Sequence, residues 1–150
     1  MIHNIRFRLF IYQNENPEDI ITALNNILPE AEYETEIAEG INEEPIQILT
    51  GKISKKRKCR EFLENLIENV EKESLQKLKS DLNRKTDERG NLFLRLDKND
   101  AIDEKWTILD KGDSIHLKIK IAAYPAKKEI AVNKMDSYLE ELLWNFTTLI

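Results

Sequence analysis

The sequence predicts a single α+β domain spanning residues 1–150, with a mostly antiparallel sheet and helices packed on one of its faces. A chain of 150 residues fits one domain with a sizeable core. In residues 114–121, aliphatic side chains alternate strictly with polar ones, which predicts a half-buried strand over about 114–123. In residues 59–70, apolar side chains recur at steps of three and four, which predicts a helix with one buried face. Segments of these two kinds follow in the order β-α-β-α-α-β-β-β-α, which is typical of an α+β layer pair.

The first 53 residues are predicted to hold two strands and one helix. Alternation predicts a strand over residues 2–12. Asn16 and Pro17 then supply an N-cap and a first-turn proline for a helix that ends at Pro29. Residues 30–44 contain seven glutamates and no cation, and they read as a loop or a weak edge strand. A second strand is expected over 46–53.

The remainder of the chain is predicted to add three helices and three strands. Ser54 is expected to cap a helix on whose apolar stripe Cys59 lies, which predicts a buried thiol. The later elements are a helix over 75–82, a turn at 87–90, a strand over 92–96, a strand over 106–109, a hairpin turn at 110–113, the long strand over 114–123 and a final helix that starts at Pro125. In the long strand, Ile115, Leu117, Ile119 and Ile121 are expected to be buried and Lys118 and Lys120 to be exposed.

Charge is distributed unevenly along the chain. The formal net charge is −5, which by itself argues against a nucleic-acid partner. Residues 1–50, however, carry two cations, Arg6 and Arg8, against ten acids, whereas residues 51–150 carry 21 cations against 18 acids. This asymmetry is compatible with a local basic surface on an acidic protein.

Two helix starts are rich in cations. Lys55, Lys56, Arg57 and Lys58 stand in the first turn of the second helix, where positive charge opposes the helix dipole. Lys127 and Lys128 repeat the arrangement in the final helix. Free N–H groups beside lysines can bind an anion, although a solvated charge run is an equally good reading.

The sequence offers little basis for catalysis or metal binding. Neither His3 nor His116 has a second histidine or a cysteine at ligand spacing, and no glycine-rich phosphate loop or nucleophile elbow occurs. We therefore expect no catalytic residues, no metal and no cofactor. One cysteine cannot form an internal disulfide, and no apolar run is long enough for a membrane span, so a cytoplasmic location is expected. Phe93 shares a strand face with Arg95 and is the aromatic residue most open to a base, although packing is its ordinary role.

Two motifs carry a resemblance to a known family. Residues 93–102 read Phe-Leu-Arg-Leu-Asp-Lys-Asn-Asp-Ala-Ile, and residues 112–132 join an Ile-x-Leu-Lys-Ile-Lys-Ile strand to Ala-Tyr-Pro and a lysine-rich helix start. In these features the chain resembles an archaeal family of predicted exosome-associated RNA-binding proteins. That family is described as double-stranded-RNA-binding-domain-like, and the element order here is also similar to that of the ribosomal protein that binds 5S rRNA. By position, the resemblance implies that RNA faces Arg95, Lys98, Lys118, Lys120, Lys127 and Lys128.

These observations favour a non-catalytic, archaeal RNA-binding accessory protein. The cations would hold structured RNA by its phosphates, and the expected partners are RNA and exosome or ribosomal components. The second hypothesis is a protein–protein adaptor or a homodimer that binds no RNA.

Overall fold

The protein folds as a six-stranded antiparallel sheet with helices on one face, as the sequence predicts. The computed structural model describes residues 1–39 and 44–148. The strand order across the sheet is β2-β3-β1-β6-β4-β5. The elements along the chain are β1 (Ile2–Ile11), α1 (Pro17–Ile27), β2 (Glu34–Glu39), β3 (Pro45–Ile53), α2 (Lys56–Asn69), α3 (Lys72–Lys85), β4 (Asn91–Asp97), α4 (Lys98–Ile102), β5 (Ile108–Leu109), β6 (Ser114–Ile121) and α5 (Lys128–Thr148).

Strand β6 lies at the centre of the sheet, between β1 and β4. Its four aliphatic side chains, Ile115, Leu117, Ile119 and Ile121, are almost completely buried, which confirms the prediction from alternation. On the opposite face Lys118 is exposed, as predicted. Lys120 is half-buried, contrary to the prediction, and its ammonium donates to the Arg89 carbonyl. A register slip of one residue would place all four aliphatic side chains in water, so the register is strongly determined.

The helices cover one sheet face with their apolar stripes. In α2 the buried residues include Cys59, Phe62 and Leu66, and they join the same core cluster as the inward side chains of β1 and β6. Full burial of one such side chain stabilises the fold by about 1.5–3 kcal/mol. Helix α1 begins as predicted, because the Asn16 side chain accepts a hydrogen bond of 2.9 Å from the Glu18 N–H. Within the described residues, no helix is both long and apolar enough to cross a membrane.

Gly51 on β3 permits a close approach between the sheet and an aromatic ring. It is the Cα partner of Phe7 on β1. A Cβ at this position would lie 2.3 Å from Phe7 Cζ and 2.4 Å from the Glu32 carbonyl oxygen. Only glycine therefore lets the buried Phe7 ring lie across β3.

Several element boundaries differ from the sequence predictions. The 30–44 segment contains a regular edge strand, β2, while its residues 40–43 lie outside the described part of the chain. The short helix α4 was not predicted, and it starts because the Asp97 carboxylate accepts hydrogen bonds from the Asn99 and Asp100 N–H groups.

The starts of α2 and α5 also differ from the predictions. Lys55, not Ser54, is the N-cap residue of α2, and it makes no side-chain capping bond. Helix α5 begins at Lys128, not at Pro125, because the Lys127 N–H bonds to the Pro125 carbonyl at 2.9 Å in a tight turn. The first helical residue therefore follows that turn.

Candidate nucleic-acid interface

The sheet face opposite the helices carries a concentration of cations. We call it the open face. Strand alternation directs every second side chain of β3, β1, β6 and β4 to this side, where the side chains are mostly exposed or half-buried. The cations of the open face are Arg6, Arg8, Lys52, Arg95, Lys118 and Lys120.

The strand register aligns these cations in rows across the sheet. Arg6 is the Cα partner of both Lys52 and Lys118, so three cations on three adjacent strands form one row. Arg8 and Arg95 flank His116 in the next row. Because adjacent strands lie about 4.8 Å apart, neighbouring positive charges in a row repel one another.

The open-face cations have little compensation from carboxylates within the described residues. None of the six forms an ion pair there. Asp87 is a carboxylate that Lys118 influences: against the raising effect of burial, hydrogen bonds from Asn91 and Arg89 and then the charge of Lys118 lower the pKa of Asp87. Many cations on the helix side do form ion pairs. Lys77 lies 2.8 Å from Asp110, for example, and the hydrogen bond and charge of Lys77, together with the charge of Lys85, lower the pKa of Asp110 to about 2. Uncompensated like charge on a sheet face costs stability, and a bound polyanion would relieve that cost.

The environment of His116 on this face lowers the pKa of its imidazole. Burial, followed by the charges of Arg95 and Arg8, holds the pKa of His116 below its usual range. The imidazole is therefore neutral at neutral pH. Two open-face cations are also oriented by hydrogen bonds: Arg95 donates to the Gly112 carbonyl and the Ser114 hydroxyl, and the Lys120 ammonium donates to the Arg89 carbonyl.

Of the residues implied by the resemblance, Arg95, Lys118 and Lys120 lie together on the open face. The expectation for Lys98 needs correction, because its side chain is 1% exposed. Its ammonium donates to the Phe10 carbonyl at 2.7 Å and lies 2.8 Å from carboxylate oxygens of both Glu15 and Asp113. The ammonium thus makes two hydrogen bonds and two ion pairs inside the protein, and we remove Lys98 from the candidate interface.

The cation-rich start of α2 lies on the helix side of the sheet. Arg57 pairs with Glu61 at 3.6 Å, and Lys58 donates to the Pro29 carbonyl at 3.2 Å. Lys55 and Lys56 are exposed. The cluster therefore lies outside the rows of the open face, and it borders them at Lys52, which lines one surface pocket together with Lys55 and Lys58.

Lys127 and Lys128 lie at the start of α5, also outside the rows. Lys127 is exposed and Lys128 is half-buried. Gly90 lies against the start of α5, because a Cβ atom built on it would be 3.7 Å from the Lys127 carbonyl oxygen. The carbonyl of the preceding residue, Arg89, accepts a hydrogen bond from the Lys120 ammonium. One turn therefore connects the start of α5 with the Lys120 end of the open face.

Sequence reasoning did not single out Arg6, Arg8 and Lys52 as candidate interface residues. Arg6 and Arg8 alternate with buried residues of β1, which was a sufficient signal for an outward direction. Their location in the acidic half of the chain argued against them, and only the strand order shows that they neighbour Lys118 and His116.

A family model described as RNA binding matches residues 4–121, a span that contains all six open-face cations. The chain belongs to this family. It is 36% identical over 144 residues to a protein of Pyrococcus abyssi (strain GE5 / Orsay) named as an RNA-binding protein, covering 92% of this chain and 94% of the relative.

Solved structures of similar proteins share the fold. A DUF54 protein from Methanothermobacter thermautotrophicus is 44% identical, with a TM-score of 0.83 and coverage of 93% of this chain and 98% of that one. A Sulfolobus solfataricus protein with the same family description is 16% identical, with a TM-score of 0.75 and coverage of 95% and 98%, and this likeness concerns the fold alone.

The described residues do not offer an arrangement for metal chemistry. No group of three or more His, Cys, Asp or Glu side chains in residues 1–39 and 44–148 is placed to hold a metal ion. What the open face can do chemically is hold anions through guanidinium and ammonium groups.

Proposed function

We propose that the protein binds RNA on the open face by contacting phosphates with the rows of cations. The observation that carries this proposal is the set of six cations that share one sheet face and form no ion pair within the described residues. Membership of an RNA-binding family supports the same ligand. Phosphate contacts position an RNA and supply affinity, whereas they carry little sequence information.

The expected strength of this interaction follows from the number of available cations. Arg95 and Lys120 already donate to backbone carbonyls, so about four to six phosphate contacts are available. Each contact contributes about 0.7–0.9 to the slope of log affinity against log salt, so the slope is about −3 to −5.

We further propose a non-catalytic accessory role for the chain as one domain in the cytoplasm. Its ligand would be a structured RNA in RNA processing or degradation, with exosome or ribosomal components as partners. This proposal is supported by the sequence resemblance at 93–102 and 112–132 and by the name of the relative as an RNA-binding protein.

The test is RNA affinity measured by fluorescence anisotropy as a function of salt. Replacing Arg6 and Lys118 together by alanine removes two neighbouring cations of one row and should flatten the slope by about 1.5–2. Replacing Lys55 and Lys56 by alanine removes the same charge at the start of α2 and serves as the matched control, with a smaller change of slope. A parallel Lys127 and Lys128 to alanine variant should flatten the slope by about one to two if the interface extends to the start of α5.

Two results would contradict the proposal. A larger effect of the Lys55 and Lys56 variant than of the Arg6 and Lys118 variant would move the interface to the start of α2. Absence of salt-sensitive RNA binding at low ionic strength would favour the second candidate, an adaptor or homodimer. One observation favours that candidate: β2 is an edge strand on which Ile37 is 66% exposed.

A further inference from the structure

Aromatic rings border the cation rows of the open face. Phe93 and His116 form one pair, with ring centroids 6.3 Å apart and planes tilted by 36°. Phe10 and Tyr12 form a second pair, with centroids 6.2 Å apart and a tilt of 49°. All four side chains are half-buried, so part of each residue is accessible. The Lys98 ammonium lies over the Tyr12 ring, 5.0 Å from its centroid.

Each aromatic pair lies beside a cation. Phe93 is the Cα partner of Lys118 and so belongs to the same row as Arg6. The Arg8 guanidinium lies 5.6 Å from the centroid of the Phe10 ring. Alternating rings and cations fit a ligand in which flat apolar groups alternate with negative charges along a chain.

Packing alone does not account for Phe93. Its chain neighbours Leu92 and Leu94 point to the helix side and are 2% and 1% exposed, whereas Phe93 points to the opposite side among cations. A cross-strand aromatic pair contributes about 0.2–1 kcal/mol to a sheet, which an aliphatic side chain could partly supply. The ring adds a π-face, which a leucine would not.

We propose that the open face recognises unpaired nucleotides of its RNA by stacking bases on the Phe93–His116 and Phe10–Tyr12 pairs while the cations hold the adjacent phosphates. This inference rests on the proposed function and specifies the part of the RNA that is bound. A duplex hides the faces of its bases, so it can use the cations but not the rings. Loops, bulges and single-stranded ends offer both groups. Neutral His116 is suited to stacking because a neutral imidazole is an aromatic ring without added charge.

The experiment compares a single-stranded oligoribonucleotide with a blunt duplex of the same length and strand sequence at one salt concentration. The wild-type protein should bind the single strand more tightly. Phe93→Leu keeps the apolar volume but removes the ring, and it should weaken single-strand binding by roughly 5- to 150-fold while leaving the salt slope and the duplex affinity unchanged. Tyr138→Leu makes a similar change at a half-buried ring on α5, on the helix side, and should alter neither affinity.

A second measurement makes the test independent of affinity. A 2-aminopurine base in the oligonucleotide should lose fluorescence on binding to the wild-type protein, because stacking quenches it, and should stay brighter on Phe93→Leu or Phe10→Leu. Equal binding of single strand and duplex, with no effect of Phe93→Leu and no quenching, would overturn the stacking proposal yet leave the phosphate interface intact. Absence of salt-sensitive binding to either RNA would instead refute the proposed function itself.

Discussion

Replacing Lys98 by methionine removes a buried ammonium while keeping most of the volume of its side chain. In the native protein the ammonium is bound by the Phe10 carbonyl, Glu15 and Asp113, at distances of 2.7, 2.8 and 2.8 Å. It also lies 5.0 Å from the centroid of the Tyr12 ring. After the replacement, two carboxylates lose their cation and one carbonyl loses its donor.

The expected loss of stability follows from the burial of the remaining partners. Removal of one member of a fully buried ion pair costs about 3–5 kcal/mol. Here the side chains of Glu15 and Asp113 are 17% and 39% exposed, so water partly hydrates them. With that discount we expect a loss of about 2–4 kcal/mol for Lys98→Met. For a chain of 150 residues this lowers the melting temperature by about 4–16 °C.

Urea unfolding and thermal melting measure this loss, and a triple variant provides the control. Adding Glu15→Gln and Asp113→Asn removes the orphaned charges, so the triple variant should regain part of the stability lost by Lys98→Met. The salt slope of RNA binding should stay at the wild-type value, because the ammonium does not reach the surface. A loss below about 1 kcal/mol would refute the buried-charge argument. A native-like stability with a salt slope reduced by about one would return Lys98 to the interface.

Two further predictions concern side chains with altered pKa values. Cys59 is buried, and burial raises the pKa of its thiol. A thiol reagent should therefore react with the native protein only as it unfolds. Rapid stoichiometric labelling of the native protein would mean that α2 does not turn this face to the core. The pKa of His116 is lowered in the folded state, so the unfolded chain binds a proton first as pH falls through about 6.5. The free energy of unfolding should therefore decrease from pH 7 to pH 5, and the decrease should be smaller in His116→Gln. Urea unfolding at both pH values measures it. Equal decreases in the two proteins would contradict the lowered pKa of His116.

The features that the sequence predicts well are those with a local physical cause. Alternation in β6 reveals which of its side chains meet the core, because the strand period fixes that choice. The cap at Asn16 and the stripe around Cys59 are equally local. The same patterns correctly direct Lys118 and Arg95 away from the core.

The features that sequence reasoning misses depend on contacts distant along the chain. Lys98 follows an alternating strand and reads as a strand-end cation, yet the Asp97 cap starts α4 and the lysine meets Glu15, which is 83 residues away. The neighbourhood of Arg6 and Lys118 depends on the pairing of the first and last strands. The periodicity of a segment does not indicate which strands will be its neighbours. The residues that share the open face could therefore be identified only once the strand order was known.

The central position of β6 has a consequence for how the sheet is assembled. Within the described residues, β4 is joined to β1 only through β6, so the sheet remains in two pieces until β6 is made. A ribosome adds roughly 5–20 residues per second, which leaves one edge of β1 unpaired for several seconds after β3 emerges. Arg6 and Arg8 point outward from that edge strand, and charge on an unpaired edge opposes its association with other chains. On this physical ground, the two arginines proposed here to contact RNA would also oppose aggregation of the nascent chain.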